Sequence, residues 1–412
     1  MRPKTGMLRS GNLLLWTLAG LLLGTGLVRG QTSEVRPPDV RAGKPFRRAI
    51  LFAGLGPDAI VHLGIYDAAI DAGYPPDVII GTSGGSLAAA MVSGYPDRQQ
   101  RHALLASREF HEYLLSPCVA RNSPYGVMVQ SLGWMARRSP LACRPPKLFC
   151  RPVITIPVPK RPAGMEQPFP MDNHRPRVIM VAGELTFGPE RAVHADGKYY
   201  YETWFTDEQT ARFLPQASAI GSKYPRSAIH VQAKVVTGVS MAKAARASSS
   251  EPYSFRPYCL AGKHYTGAAI NLFPLELAQS IAHEVIVPRS PPTNRLQDTS
   301  GYSAFRYSAQ HRQNWVDNAD VTFRVHLRDK AEVLKGITLF PQLRFVTNKA
   351  DLQAVSQTEC EQRRMLWCPR PLVVDNVPED HEEFLGYVRA MWEFGYQRGM
   401  QVFSQRKLIS CE

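Results

Sequence analysis

Acidic residues are in short supply: 35 Asp and Glu stand against 49 Lys and Arg, a formal net charge of +14. The first 30 residues contain none. Such a surplus suits an anionic membrane surface or nucleic acid, or is simply a basic solvated surface. No helix-turn-helix, zinc-finger or RNA-motif pattern accompanies it, so no nucleic-acid partner is expected. None of the seven cysteines falls in a Cys-x-x-Cys pair, and no His/Cys or His/Glu cluster has zinc spacing. No metal and no cofactor are expected. No internal repeat is visible.

What is present begins with a targeting segment. Arg2, Lys4 and Arg9 precede an apolar run from Leu13 to Val28, broken only by threonines and glycines. The run is long for a signal-peptide core and short for a spanning helix. Val28-Arg29-Gly30 forms a passable cleavage site, and no cysteine follows that would carry a bacterial lipid anchor. Residues 1–30 are therefore read as a signal peptide or a membrane anchor, and residues 31–46 as a polar linker. Either reading places the domain outside the cytoplasm, in a periplasmic or extracellular space. Cys143 with Cys150, and Cys360 with Cys368, bracket short loops that a disulfide could staple there, or are reduced buried thiols.

Residues 77–93, DVIIGTSGGSLAAAMVS, read as a buried strand, a tight turn and a small-residue helix. Gly81-Thr82-Ser83-Gly84-Gly85 satisfies the Gly-x-Ser-x-Gly nucleophile-elbow pattern in the strand-turn-helix context that gives it meaning. The turn is too tight for side chains on either flank, and glycine tolerates the backbone angles at least cost. Ser83 is then raised to a helix N-terminus, where N–H groups favour a developing oxyanion.

Residues 47–94 resemble the opening of patatin-like phospholipases: a first strand, a Gly-rich oxyanion loop, a helix, then the serine elbow. Residues 245–278 resemble that family's later segment, in which an Ala-Ser helix end and a proline lead to a strand carrying Asp-Gly-Gly or Asp-Gly-Ala. The resemblance implies a three-layer α/β sandwich with a central, mostly parallel sheet. It also implies a Ser–Asp dyad acting on lipid esters.

The chain departs from that pattern at the carboxylate. Thr266 stands where the family has Asp, followed by the expected Gly267 and Ala268. A threonine hydroxyl forms hydrogen bonds but takes no proton at neutral pH. The oxyanion loop departs too: Gly54-Leu55-Gly56-Pro57-Asp58-Ala59 aligns with the family's Gly-Gly-Gly-x-Arg-Gly. Leu55 and Ala59 restrict it, Pro57 offers no N–H, and Asp58 sets a negative charge beside an oxygen that must become anionic. His264 and Asp58 are the alternative bases. On a strand His264 shares a face with Thr266, about 7 Å away. His62 reads as a packing residue, and Asp196 as part of an Asp-Gly turn within residues 192–205.

With 412 residues, 44% of them hydrophobic, the chain can bury a large core. Residues 47–290 are expected to form a patatin-like domain interrupted by a Pro- and Arg-rich insertion at 116–176, either a cap over the site or an inert surface excursion. Helical spacing covers 98–115, a strand 177–185, a helix end and strand 279–288, a polar loop 291–318 and a strand 319–327. Residues 291–412 complete the domain with a closing helix from Glu379 to about Gln405, its face of Phe384, Val388, Met391, Trp392, Tyr396 and Phe403 turned to the core. Two functions follow: a serine lipid acyl hydrolase with impaired activity, or a catalytically silent fold that binds lipid, a membrane surface or a protein partner. The oligomeric state cannot be read.

Overall fold

The computed structural model describes residues 43–54, 59–116, 162–171, 175–186, 197–251, 255–267, 270–289, 305–327, 378 and 380–405, with the backbone alone of 118–119, 154–155, 342–345, 372–375 and 406–409. The described residues belong to one compact unit, Val40–Glu412. The expected targeting segment, the expected oxyanion-loop residues Leu55 to Asp58, Asp196, and Cys143, Cys150, Cys360 and Cys368 lie outside them.

The strands follow in order as β1 (Phe46–Phe52), β2 (Val78–Thr82), the two-residue β3 (Cys118–Val119) and β4 (Ile154–Thr155), β5 (Arg177–Leu185), β6 (Tyr200–Phe205) and β7 (Lys234–Val236). After them come β8 (Tyr258–Leu260), β9 (Lys263–Thr266), β10 (Ala282–Arg289), β11 (Phe323–His326), β12 (Gln342–Phe345) and β13 (Leu372–Asp375). The main sheet has the order β11-β10-β1-β2-β5-β6-β7, with β9 attached to β5 and β8 to β9. From β11 to β5 every pairing is parallel; β6 runs antiparallel to β5, and β7 parallel to β6. This is an α/β fold with a mixed, mostly parallel sheet.

Strand alternation sends side chains to both faces, which is why a sheet of this kind needs two covers. Ile50, Phe52, Ile79, Val178, Met180 and Ile286 point into one cluster with helices α1 (Ile60–Asp71), α2 (Gly84–Gly94), α5 (Met241–Ser248) and α8 (His381–Ile409). Ala49, Leu51, Ile80, Ile179, Val181 and Trp204 point into the other, against α6 (Leu275–Ile281) and α7 (Ala309–Asn318). The three layers expected from the sequence are thus present.

The predicted helix over 98–115 is two helices, α3 (Arg98–Leu105) and α4 (Arg108–Leu115). Ser107 takes the break because its side chain accepts from the Phe110 N–H, 3.1 Å, and caps the second helix. The expected polar loop 291–318 is corrected at its end, where α7 is helical. The residues that α7 buries include Arg312 and Gln313, so no hydrophobic period betrayed it. From the insertion, the described stretch 162–171 packs at the far end of α2, away from Ser83: a Cβ on Gly94 would meet Gly164 O at 2.4 Å. That piece is no cap over the site. The closing helix packs as expected, with Phe384, Val388, Met391 and Phe403 buried and Trp392 and Tyr396 partly so. Among the described residues no helix is long and apolar enough to cross a membrane.

Candidate active site

The sharpest backbone feature at the carboxyl ends of the parallel strands is Ser83, between the end of β2 and the start of α2. Its φ of 51° and ψ of −124° lie in a region costly for a residue with a Cβ. The motif glycines do another job than supplying that angle, which corrects the sequence reading. A Cβ on Gly85 would fall 1.9 Å from Phe52 O, and one on Gly81 would fall 2.8 Å from Ser86 Cα. Glycine is required there so that β1, β2 and α2 can close on one another, and the left-handed angle falls on the serine itself. Ser83 is half-buried, and its Oγ has no hydrogen-bond partner among the described residues.

Neighbouring backbone fixes the rest of the turn. The Ser83 N–H donates to Ser248 Oγ at 2.9 Å, while Ser83 O accepts from Ser86 N–H at 2.9 Å and from Ser249 Oγ at 3.3 Å. Gly54 opens the oxyanion loop directly beside the serine: a Cβ there would sit 3.1 Å from Ser83 Cβ and 2.9 Å from Leu272 Cδ2. Gly56, Pro57 and the charge of Asp58 cannot be placed, since they lie outside the described residues. His62 is a core residue, stacked on Phe52 with centroids 5.1 Å apart and bonded to Ala53 O at 2.8 Å.

Register places Thr266. On one edge of β5, Val181 pairs with Thr82 of β2 and Gly183 pairs with Thr266 of β9, because β6 occupies the opposite edge. β9 therefore continues the lane that β2 leaves, and Thr266 stands about 7 Å along the strand direction from Thr82. Thr266 is fully buried and donates from Oγ1 to Ser250 O, 3.1 Å. Its one proton is already committed. His264 pairs with Leu185, about 10 Å beyond the level of Ser83, and is exposed to solvent. The fold brings Thr266 to the elbow and leaves His264 outside it.

Two features escaped sequence reasoning. One is Ser248, visible only as the first of three consecutive serines. The other is a buried polar chain behind Thr266. Glu202, opposite Gly183 on β6, accepts from Ser218 Oγ and, at 2.9 Å, from Asn271 Nδ2. Arg312 donates to Asn271 Oδ1 at 3.2 Å and Phe273 O at 2.6 Å, and pairs with Glu276. These bonds fix the segment 270–273, whose Leu272 carbonyl accepts from Thr82 Oγ1 at 2.9 Å. Burial pushes the Glu202 carboxyl up from its ordinary value, and the two donated bonds oppose that shift. Two strand spacings separate it from the lane of Thr266, about 10 Å, too far for a proton from Ser83. The cavity of about 410 Å³ between Phe46, Arg177 and Phe213 lies at the opposite, amino end of the strands and is not this site. No group of three or more potential metal ligands occurs among the described residues.

Residues 50–142, which include the end of the first strand, the elbow and α2, match the family model of patatin-like phospholipases. Over that stretch the chain is similar to patatin-like phospholipases. Among solved structures it is similar to VipD from Legionella pneumophila, at 12% identity and a TM-score of 0.31, covering 94% of this chain and 73% of that one. That likeness is too loose to argue from. No curated protein matches the sequence. The elbow is built, and Thr266, which the sequence reading aligned with the family's carboxylate, is a buried, bonded hydroxyl.

Proposed function

We propose that the protein is a patatin-type serine lipid acyl hydrolase acting through Ser83, with turnover slowed by the loss of its general base. The observation that carries this reading is the positive φ of Ser83 at a strand-to-helix turn, with no hydrogen-bond partner for Oγ among the described residues. Strain of this kind persists only where the surroundings over-determine it, and it gathers at reacting residues. Ser83 Oγ attacks the ester carbonyl of a lipid, the alcohol leaves, and water releases the fatty acid from the acyl-enzyme. The N–H groups at the start of α2 face the oxyanion. Thr266 cannot hold the serine proton, which passes to solvent instead. The first 30 residues support export or anchoring on the far side of a membrane, where such lipids are met.

A second reading, a catalytically silent protein that holds lipid or a protein partner in the same cleft, is favoured by the Thr266 hydroxyl bonded to Ser250 O. A fluorophosphonate probe separates the two, since it reports nucleophile and oxyanion hole together. Wild type should be labelled at Ser83 and Ser83→Ala should not. Thr266→Asp should raise hydrolysis of a short activated ester about tenfold or more, less than the ~10⁴ that a catalytic base is worth, because the new carboxylate faces Ser250 O. An unlabelled wild type would leave the silent reading standing.

A further inference from the structure

The three serines at the end of α5 touch both halves of the site. Ser248 Oγ donates its single proton to Val181 O at 2.5 Å and accepts from Ser83 N–H at 2.9 Å and from Ser86 Oγ at 2.8 Å. Ser249 Oγ donates to Ser83 O at 3.3 Å. Ser250 O accepts from Thr266 Oγ1 at 3.1 Å and from Gly267 N–H at 2.6 Å. One short segment thus holds the nucleophile's backbone on both sides and the residue at the dyad position as well.

We infer that Ser248 is the positioning residue of the nucleophile: it supplies the acceptor that fixes the Ser83 amide and so keeps Ser83 at positive φ. This rests on the hydrolase reading of Ser83. The physical need is plain. At Thr82 the chain is still paired with Val181; one residue later it leaves the sheet, and the Ser83 N–H would face the interior with no strand to receive it. Ser248 is fully buried and joins that amide to Val181, the residue level with Thr82. The strand that defines the lane thereby also sets the angle at which the serine leaves it.

Ser248→Ala removes the acceptor for the Ser83 N–H, and with it the bonds to Val181 O and Ser86 Oγ. The probe's maximal labelling rate should fall by about tenfold to a hundredfold, the range a misplacement near 1 Å commands, while its half-saturating concentration stays unchanged. Ser240→Ala, which uncaps the same helix at its other end, loosens α5 without touching Ser83 and should label within about threefold of wild type. Equal labelling of Ser248→Ala and wild type, or an equal fall in Ser240→Ala, overturns the inference while the hydrolase reading survives. Should wild type not label at all, the hydrolase reading fails, and amide hydrogen exchange decides. Ser248→Ala must then speed exchange at Ser83 about tenfold or more while Ile179–Val181 in β5 stay protected; unchanged exchange at Ser83 refutes the positioning role.

Discussion

At the scale of single residues, Glu202 shows how costly the site's support is. Its carboxyl is raised chiefly by burial, so the folded state holds its proton more tightly than the unfolded chain does. The sign follows: the stability linked to this group is fully present below the unfolded value of about 4.3 and is lost as pH rises through the folded value. Glu202→Gln keeps the shape and removes the titration. Its melting temperature should therefore fall less than that of wild type between pH 4 and pH 8, and parallel curves for the two proteins would show that Glu202 ionises freely in the fold. The residue was invisible as a functional feature beforehand, because Tyr-Tyr-Glu-Thr-Trp reads as one arm of a hairpin and nothing in it names Asn271 or Arg312 as partners. Ser83 was legible for the opposite reason: strand, turn and helix signals sit next to it in the chain.

Between helices, α1 and α8 approach each other closely. A Cβ on Gly64 would lie 2.1 Å from Trp392 O, and one on Gly395 would lie 2.1 Å from Val61 O. Reciprocal glycines let the two backbones meet, and Asp67 then locks the crossing by accepting from Arg101 at 2.5 Å and from Trp392 Nε1 at 2.9 Å. Gly64→Ala or Gly395→Ala should each force the helices apart and cost about 1–3 kcal/mol, read as a lower denaturant midpoint with an unchanged slope. Stability equal to wild type would mean that the crossing relaxes freely. The apolar face of α8 was readable from its period, as was β5 from its unbroken Val-Ile-Met-Val run. The glycines were not, since their meaning lies in a partner more than 300 positions away. Likewise α7 was missed because it buries Arg312 and Gln313, the former within the network that holds 270–273.

For the whole molecule, the basic start of the chain and the apolar run from Leu13 to Val28 are what support the proposed non-cytoplasmic setting. N-terminal sequencing of protein from its native source should begin near Gln31, or the intact chain should fractionate with membranes. A soluble cytoplasmic pool bearing Met1 through Gly30 would refute it. In a secretory compartment Cys259, free and exposed on β8, should alkylate readily without reduction.

β2 and β9 hang end to end from one edge of β5, and Ser83 occupies the joint. The spacing between their ends is set by main-chain register, so point substitutions there change side chains and not that spacing. Sheet registers that keep side chains on their own faces move in steps of two residues. The spacing is in that sense quantised. It changes only by a whole slip of β9 along β5, which would carry Thr266 away from the serine in the same stroke.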